Sequence, residues 1–275
     1  MMPGAVDVQA HDCRRFFPRR AAILCVMLAA VWAPSAGAAA LDEAAEHYRR
    51  YLIEDIGRAL TGVRALRERL GANDLDGAKR AWIEARIGWE RSEVFTSGFV
   101  PELDRQIDAW PDALQGFHGI EAKLFGANRT DVREETDVLI VDLQDLHAQL
   151  RNIPLTPQGL LNGIVRLAFE IGGNKADGGE SRLSGTSLTD MQSNADGIEL
   201  AYRIVFSDAV KAGDPGQAEE AQAAIQRLKA GVGISDLRNL NSEKLRADSE
   251  GLVALLQRAA PKIGLDKPTL EEGAQ

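Results

Sequence analysis

The sequence predicts an all-α fold, an antiparallel helical bundle of two packed four-helix units. Three observations carry this expectation. Apolar residues recur every three or four positions along most of the chain, no segment alternates with a two-residue period and β-branched enrichment, and the breaks between periodic stretches are short and hold cap and turn residues.

The elements follow in order. Ala45, Tyr48, Leu52, Ile56, Leu60, Val63, Leu66 and Leu70 line one face of a helix over 41–70. Gly71-Ala72-Asn73 breaks it. Asp74 then caps a second helix to about Phe95, with Leu75, Ala78, Trp82, Ala85 and Trp89 on one face. Gly98 to Pro111 reads as a loop, and a third helix runs from Asp112 to Phe125. Thr130-Asp131 opens a fourth helix to about Leu150, and Thr156-Pro157 a fifth, with proline where its missing N–H costs nothing. A glycine-rich loop covers 172–185, and Ser187-Leu188-Thr189-Asp190 has the form of a capping box for a sixth helix to Val210. Asp214-Pro215 opens a seventh, and 242–260 forms an eighth. The helical domain is placed at 41–262 and an irregular tail at 263–275.

Residues 1–40 read as an export signal: Arg14, Arg15, Arg19 and Arg20 precede an apolar run from Ala21 to Trp32 and a small-residue stretch, with cleavage expected near Ala38–Ala40. Arg14-Arg15-Phe16-Phe17 leaves both the general and the twin-arginine route open. Cys25 lies within the apolar run, which disfavours lipid anchoring, and nothing later is apolar enough to span a bilayer. A soluble, exported, periplasmic protein is expected.

Both cysteines, Cys13 and Cys25, fall within the leader, so a metal site in the mature chain must use oxygen and imidazole, which suits iron, manganese or zinc better than copper(I). Losing four arginines and two aspartates with residues 1–40 moves the net charge from −9 to −11. An acidic surface excludes nucleic acid and anionic membrane as natural partners and accords with cations, or with solubility alone.

His118 and Glu121, in Gly116-Phe117-His118-Gly119-Ile120-Glu121, share one helix face three residues apart. Such a pair can hold one ion or simply be hydrogen-bonded. Glu90 and Glu93 are likewise one turn apart, and one facing inward requires a partner. Asp104, Asp108, Glu180 and Arg182 lie in loops, while His47 and His147 read as surface or packing residues. There is no HExxH, GxSxG, Walker A or GxGxxG signature.

Residues 116–126 resemble the GxHxxE motif of imelysin-like proteins, the helical group that includes imelysin peptidases and the EfeO and EfeM proteins of iron uptake. Ala81 to Phe95 with Asp108-Ala109-Trp110-Pro111, and Gly179-Glu180-Ser181-Arg182 with Ser184, Asp190, Asn194 and Gly197-Ile198, are similar to its other characteristic segments. Gly119, Leu183, Gly185 and Ser187 depart from the pattern. The resemblance implies a metal site at His118 and Glu121, completed by Glu90, Glu93 or Glu180, with iron the expected ion and zinc or manganese the alternatives. It further implies a binding protein that hands its ion to an inner-membrane iron permease. A metallopeptidase, or a helical interaction protein with a degenerate site, remain the competing readings.

Overall fold

A computed structural model describes residues 36–110, 114–178 and 180–270. The expected leader lies outside the described residues as far as Ser35, and its last five residues open the first helix. The described residues form helices joined by loops, with α1 (Ala36–Gly71), α2 (Leu75–Phe99), α3 (Pro101–Ile107), α4 (Gly116–Glu121), α5 (Arg133–Gln149), α6 (Pro157–Gly172), α7 (Ser187–Ala201), α8 (Ser207–Gly213), α9 (Pro215–Val232) and α10 (Ser242–Ala259). π-helical turns extend α4 over Ala122–Gly126 and join α7 to α8 over Tyr202–Phe206. None of these helices is long and apolar enough to cross a membrane.

Helices α1, α2, α4 and α5 form one group, and α6, α7, α9 and α10 the other, with α2 also packed on α6 and α7. The predicted stripe of α1, from Tyr48 to Leu70, is buried against Trp82, Ala85 and Trp89, and a single apolar core runs through both groups. Helix α2 is the hub because its neighbours approach it at backbone distance. A Cβ on Gly88 of α2 would stand 2.5 Å from the Asp55 carbonyl of α1, one on Gly163 of α6 1.8 Å from that of Val94, and one on Gly197 of α7 2.4 Å from that of Arg91.

Several caps are as expected. The side chains of Asp74, Thr156 and Asp214 accept from the N–H groups of Gly77, Gly159 and Gln217. Other boundaries differ. The stretch read as a loop over 98–111 is largely helical: α2 continues to Phe99, and Pro101 starts α3, where Glu102 and Asp104 favour the helix N-terminus and Ile107 turns into the core. The third helix begins at Gly116, and its expected start, Asp112, lies outside the described residues. Gly116 adopts φ +58°, and a Cβ there would meet the Ile107 carbonyl at 2.3 Å, so the chain turns sharply between α3 and α4. Helix α5 starts at Arg133, because Asp131 pairs with Arg129 instead of capping. The capping box at Ser187 does not form. Thr186 holds the cap position without a side-chain bond to the helix, and Asp190 points inward to Ser181 and Arg86, because a buried guanidinium requires a carboxylate. The tail beyond Ile263 is irregular to Leu270 but not detached, with Pro268 buried and Asp266 N–H donating to Gln158.

Candidate metal centre

The polar side of α2 faces α6 and α7 at the junction of the two groups, and α3, α4 and the loop after α6 close over it. A cleft of about 360 Å³ opens there, lined among others by Glu93, Asp104, Asp108, Trp110, Lys175 and Glu180. All five carboxylate and imidazole residues singled out from the sequence converge on this junction, but in distinct roles.

His118 is buried, and its backbone N–H donates to the Asp108 carbonyl at 3.2 Å, which ties α4 to the end of α3. Its Nδ1 lies 2.9 Å from Glu121 Oε2, while Nε2 makes no hydrogen bond and stands 3.7 Å from Asp108 Oδ1. In the neutral ring a carboxylate on Nδ1 keeps the proton there and leaves the lone pair on Nε2. Glu121 is itself held, its Oε1 accepting from the N–H and hydroxyl of Ser184 at 2.8 and 2.6 Å. Burial would lower the His118 pKa, but Asp108 and Glu121 outweigh it and hold it above the ordinary value. The ring of Trp110 lies 5.2 Å from that of His118 at the cleft wall.

Two trios of potential ligands result, Asp108 with His118 and Glu180, and Asp108 with Glu90 and Glu93, each with ligand atoms within 4.8 Å of one another. With metal–ligand bonds of about 2.0–2.2 Å, two donors on one ion stand at most about 4.4 Å apart, so a contraction of a few tenths of an ångström would close either set. Glu121 belongs to neither trio. The one-turn spacing that marked His118 and Glu121 therefore builds a buried imidazole and the carboxylate hydrogen-bonded to it.

Two buried cations offset this negative charge. The guanidinium of Arg86 bonds Asp108 at 2.5 Å and Asp190 at 3.2 Å, pairs with Glu90, and lies 5.7 and 5.5 Å from the ring centroids of Trp82 and Phe117. Trp89 donates to Asp108 at 3.2 Å, and Asn194 to Glu90 and Glu93 at 2.9 Å each. Lys175 Nζ reaches Glu90, Glu93 and Glu180 at 3.0, 2.9 and 3.0 Å. The carboxylates respond unequally. Burial raises Glu90 and Asp108, but Arg86 leads the groups that bring both below the usual range, whereas burial and the neighbouring Glu90 push Glu93 well above it. Burial also raises Glu180, against the pull of Lys175, and lifts Asp190 to about 7.

Sequence reasoning named His118, Glu121, Glu90, Glu93 and Glu180 as candidates and left Asp108 in a loop able to fold back on the His118 helix, and Asp108 is common to both trios. Lys175, in the glycine-rich loop, was missed. A lone loop lysine carries no periodicity, and the available signal was the charge deficit that inward-facing glutamates create.

Fold and site together define a helical-bundle protein with a buried, carboxylate-rich pocket and one presented imidazole. The chain belongs to the Imelysin family, whose sequence model matches residues 44–114 and 112–260. It is 27% identical over 234 residues to an EfeM/EfeO family lipoprotein of Staphylococcus haemolyticus, covering 79% of this chain and 81% of that one. It is 30% identical over 175 residues to the iron uptake system component EfeO of Escherichia coli, covering 60% of this chain but only 46% of that longer protein. A solved structure from Parabacteroides distasonis, assigned as an iron-regulated protein A precursor, shares the fold at a TM-score of 0.65 and 16% identity, over 82% of this chain and 95% of that one.

Proposed function

We propose that this chain is an exported, periplasmic metal-binding protein of an iron uptake system, and that it captures iron in the cleft and passes it to an inner-membrane permease. The observation that carries the reading is His118. Its Nε2 is buried and unpaired, its Nδ1 faces Glu121, and a ring nitrogen lies within 4.8 Å of oxygens of Asp108 and Glu180. The donors fit the ion: one imidazole and hard carboxylate oxygens, with no thiolate, suit iron and also accept zinc or manganese. Iron is favoured because the Escherichia coli relative is named for iron uptake. The ion is cargo here, and an accessible cleft serves both its entry and its transfer.

Calorimetric titration of the protein lacking residues 1–40 with Fe(II), Fe(III), Zn(II) and Mn(II), beside His118→Ala, tests the reading. Stoichiometric binding of iron that disappears in the variant is expected. Affinity no tighter than about millimolar, a binding free energy of only about −4 kcal/mol, refutes it. Peptide hydrolysis abolished by His118→Ala would instead make the chain a metallopeptidase.

A further inference from the structure

Lys175 is placed by a loop rather than by helix packing. After α6 ends at Gly172 the chain makes one 3-10 turn, Lys175–Asp177, and Gly178 follows in the left-handed region at φ +68°. The same short segment carries Glu180, so the ammonium and one of its carboxylate partners belong to a single wall of the cleft. Lys175 is only 5% exposed, and each of three glutamates places an oxygen within 3.0 Å of Nζ. Glu90 and Glu93 accept hydrogen bonds from Nζ and Glu180 completes the set as an ion pair, so the three carboxylates already hold a cation.

The other buried cation that pairs with Glu90 behaves differently. Arg86 sits in the middle of α2, is gripped by residues of three separate elements and rests against two aromatic rings, and it is not among the residues lining the cleft. Lys175 lines the cleft and has a flexible four-carbon stem on a glycine-flanked turn.

The lysine and the cargo also compete for the same oxygens. Glu180 is shared between the His118 trio and Lys175, and the Glu90–Glu93–Asp108 trio offers two further residues that Lys175 already binds. An ion at about 2.1 Å from the Glu180 oxygen that Lys175 contacts would stand no more than about 5 Å from the ammonium, with little water between to screen the repulsion.

The geometry points to Lys175 as the resting occupant of the carboxylate trap: its ammonium holds Glu90, Glu93 and Glu180 together in the ion-free protein and leaves them when the cargo ion arrives. Capture is then an exchange of one cation for another, and Lys175 sets how tightly the ion is held and how readily it is released. This rests on the ion-binding reading of the cleft. A lysine that served only the fold would stay in place on ion binding, and its loss would not strengthen binding.

Mn(II) is the probe, with the free ion counted by electron paramagnetic resonance in wild type, Lys175→Gln and His118→Ala. Removing the internal counter-charge should tighten Mn(II) binding by Lys175→Gln about tenfold or more, because the carboxylates lose their resident partner. In wild type, acetylation by an amine-reactive ester, mapped by peptide mass spectrometry, should be slow at Lys175 without Mn(II) and several-fold faster at saturation. An affinity of folded Lys175→Gln within twofold of wild type, or weaker, overturns the proposal, as does Lys175 labelling that saturating Mn(II) leaves unchanged. The labelling arm needs no variant, so it decides the matter even where Lys175→Gln does not fold. Wild-type binding that is lost in His118→Ala but leaves Lys175 protected sinks the exchange and keeps the ion site. Absence of binding in wild type sinks both.

Discussion

Replacing Arg86 by methionine tests how the acidic cluster is held together before any ion arrives. Methionine keeps most of the aliphatic volume beside Trp82 and Phe117 but removes the ion pairs with Glu90, Asp108 and Asp190, all of them buried. Breaking a buried ion pair by deleting one partner costs about 3–5 kcal/mol, since the charge left behind is uncompensated. For a domain of this size each kcal/mol corresponds to about 2–4 °C, which predicts a fall in Tm of roughly 6–20 °C at pH 8 with a chelator present. The pH dependence supplies a second check. With Arg86 present, Glu90 and Asp108 have depressed pKa values, so their stabilising contribution exists above their unfolded pKa and is lost as pH falls. Without Arg86 burial dominates and their pKa values rise, as that of Asp190 already does to about 7. A raised carboxylate pKa gives stability that is present at low pH and lost as pH rises through the folded value. The deficit of Arg86→Met relative to wild type should therefore shrink between pH 8 and pH 5. Urea unfolding at both pH values measures it. A deficit below about 1 kcal/mol at pH 8, or one that grows on acidification, would refute the electrostatic account.

Glu121→Ala should weaken metal binding by about 10–100-fold, the usual effect of losing a residue that orients a ligand histidine, with a smaller loss than His118→Ala in the same calorimetric titration. Equal losses would make Glu121 a direct ligand. Gly163→Ala should cost about 1–3 kcal/mol or more through the clash with the Val94 carbonyl, whereas Gly251→Ala, where a Cβ meets nothing within 4 Å, should stabilise by about 0.5–1 kcal/mol in urea unfolding. The buried Tyr202 hydroxyl makes no hydrogen bond, and burial lifts its pKa to about 12. Tyr202→Phe should match or exceed wild-type stability, by up to about 1 kcal/mol, and a loss above that in thermal unfolding would show a partner for the hydroxyl.

The sequence by itself determined the helical class, most of the helices and their buried faces, because a 3.6-residue apolar period and local caps are properties of neighbouring residues. The stripe from Tyr48 to Leu70 on α1 and the caps Asp74, Thr156 and Asp214 are such features. The spacing of His118 and Glu121 was legible for the same reason, as was the pairing of Glu90 with Glu93. Only the tertiary structure decided what these groups do. Glu121 is spent on His118 and Ser184, Asp108 is drawn from the end of a short helix into both trios of potential ligands, and Asp190 gives up a cap for Arg86. Lys175 meets glutamates 85 and 82 positions away, and Asn194 reaches the same pair across about a hundred residues. Coulombic pairing of buried charges depends on which helices meet and on how little water remains between them, and neither is encoded in any local stretch of the chain.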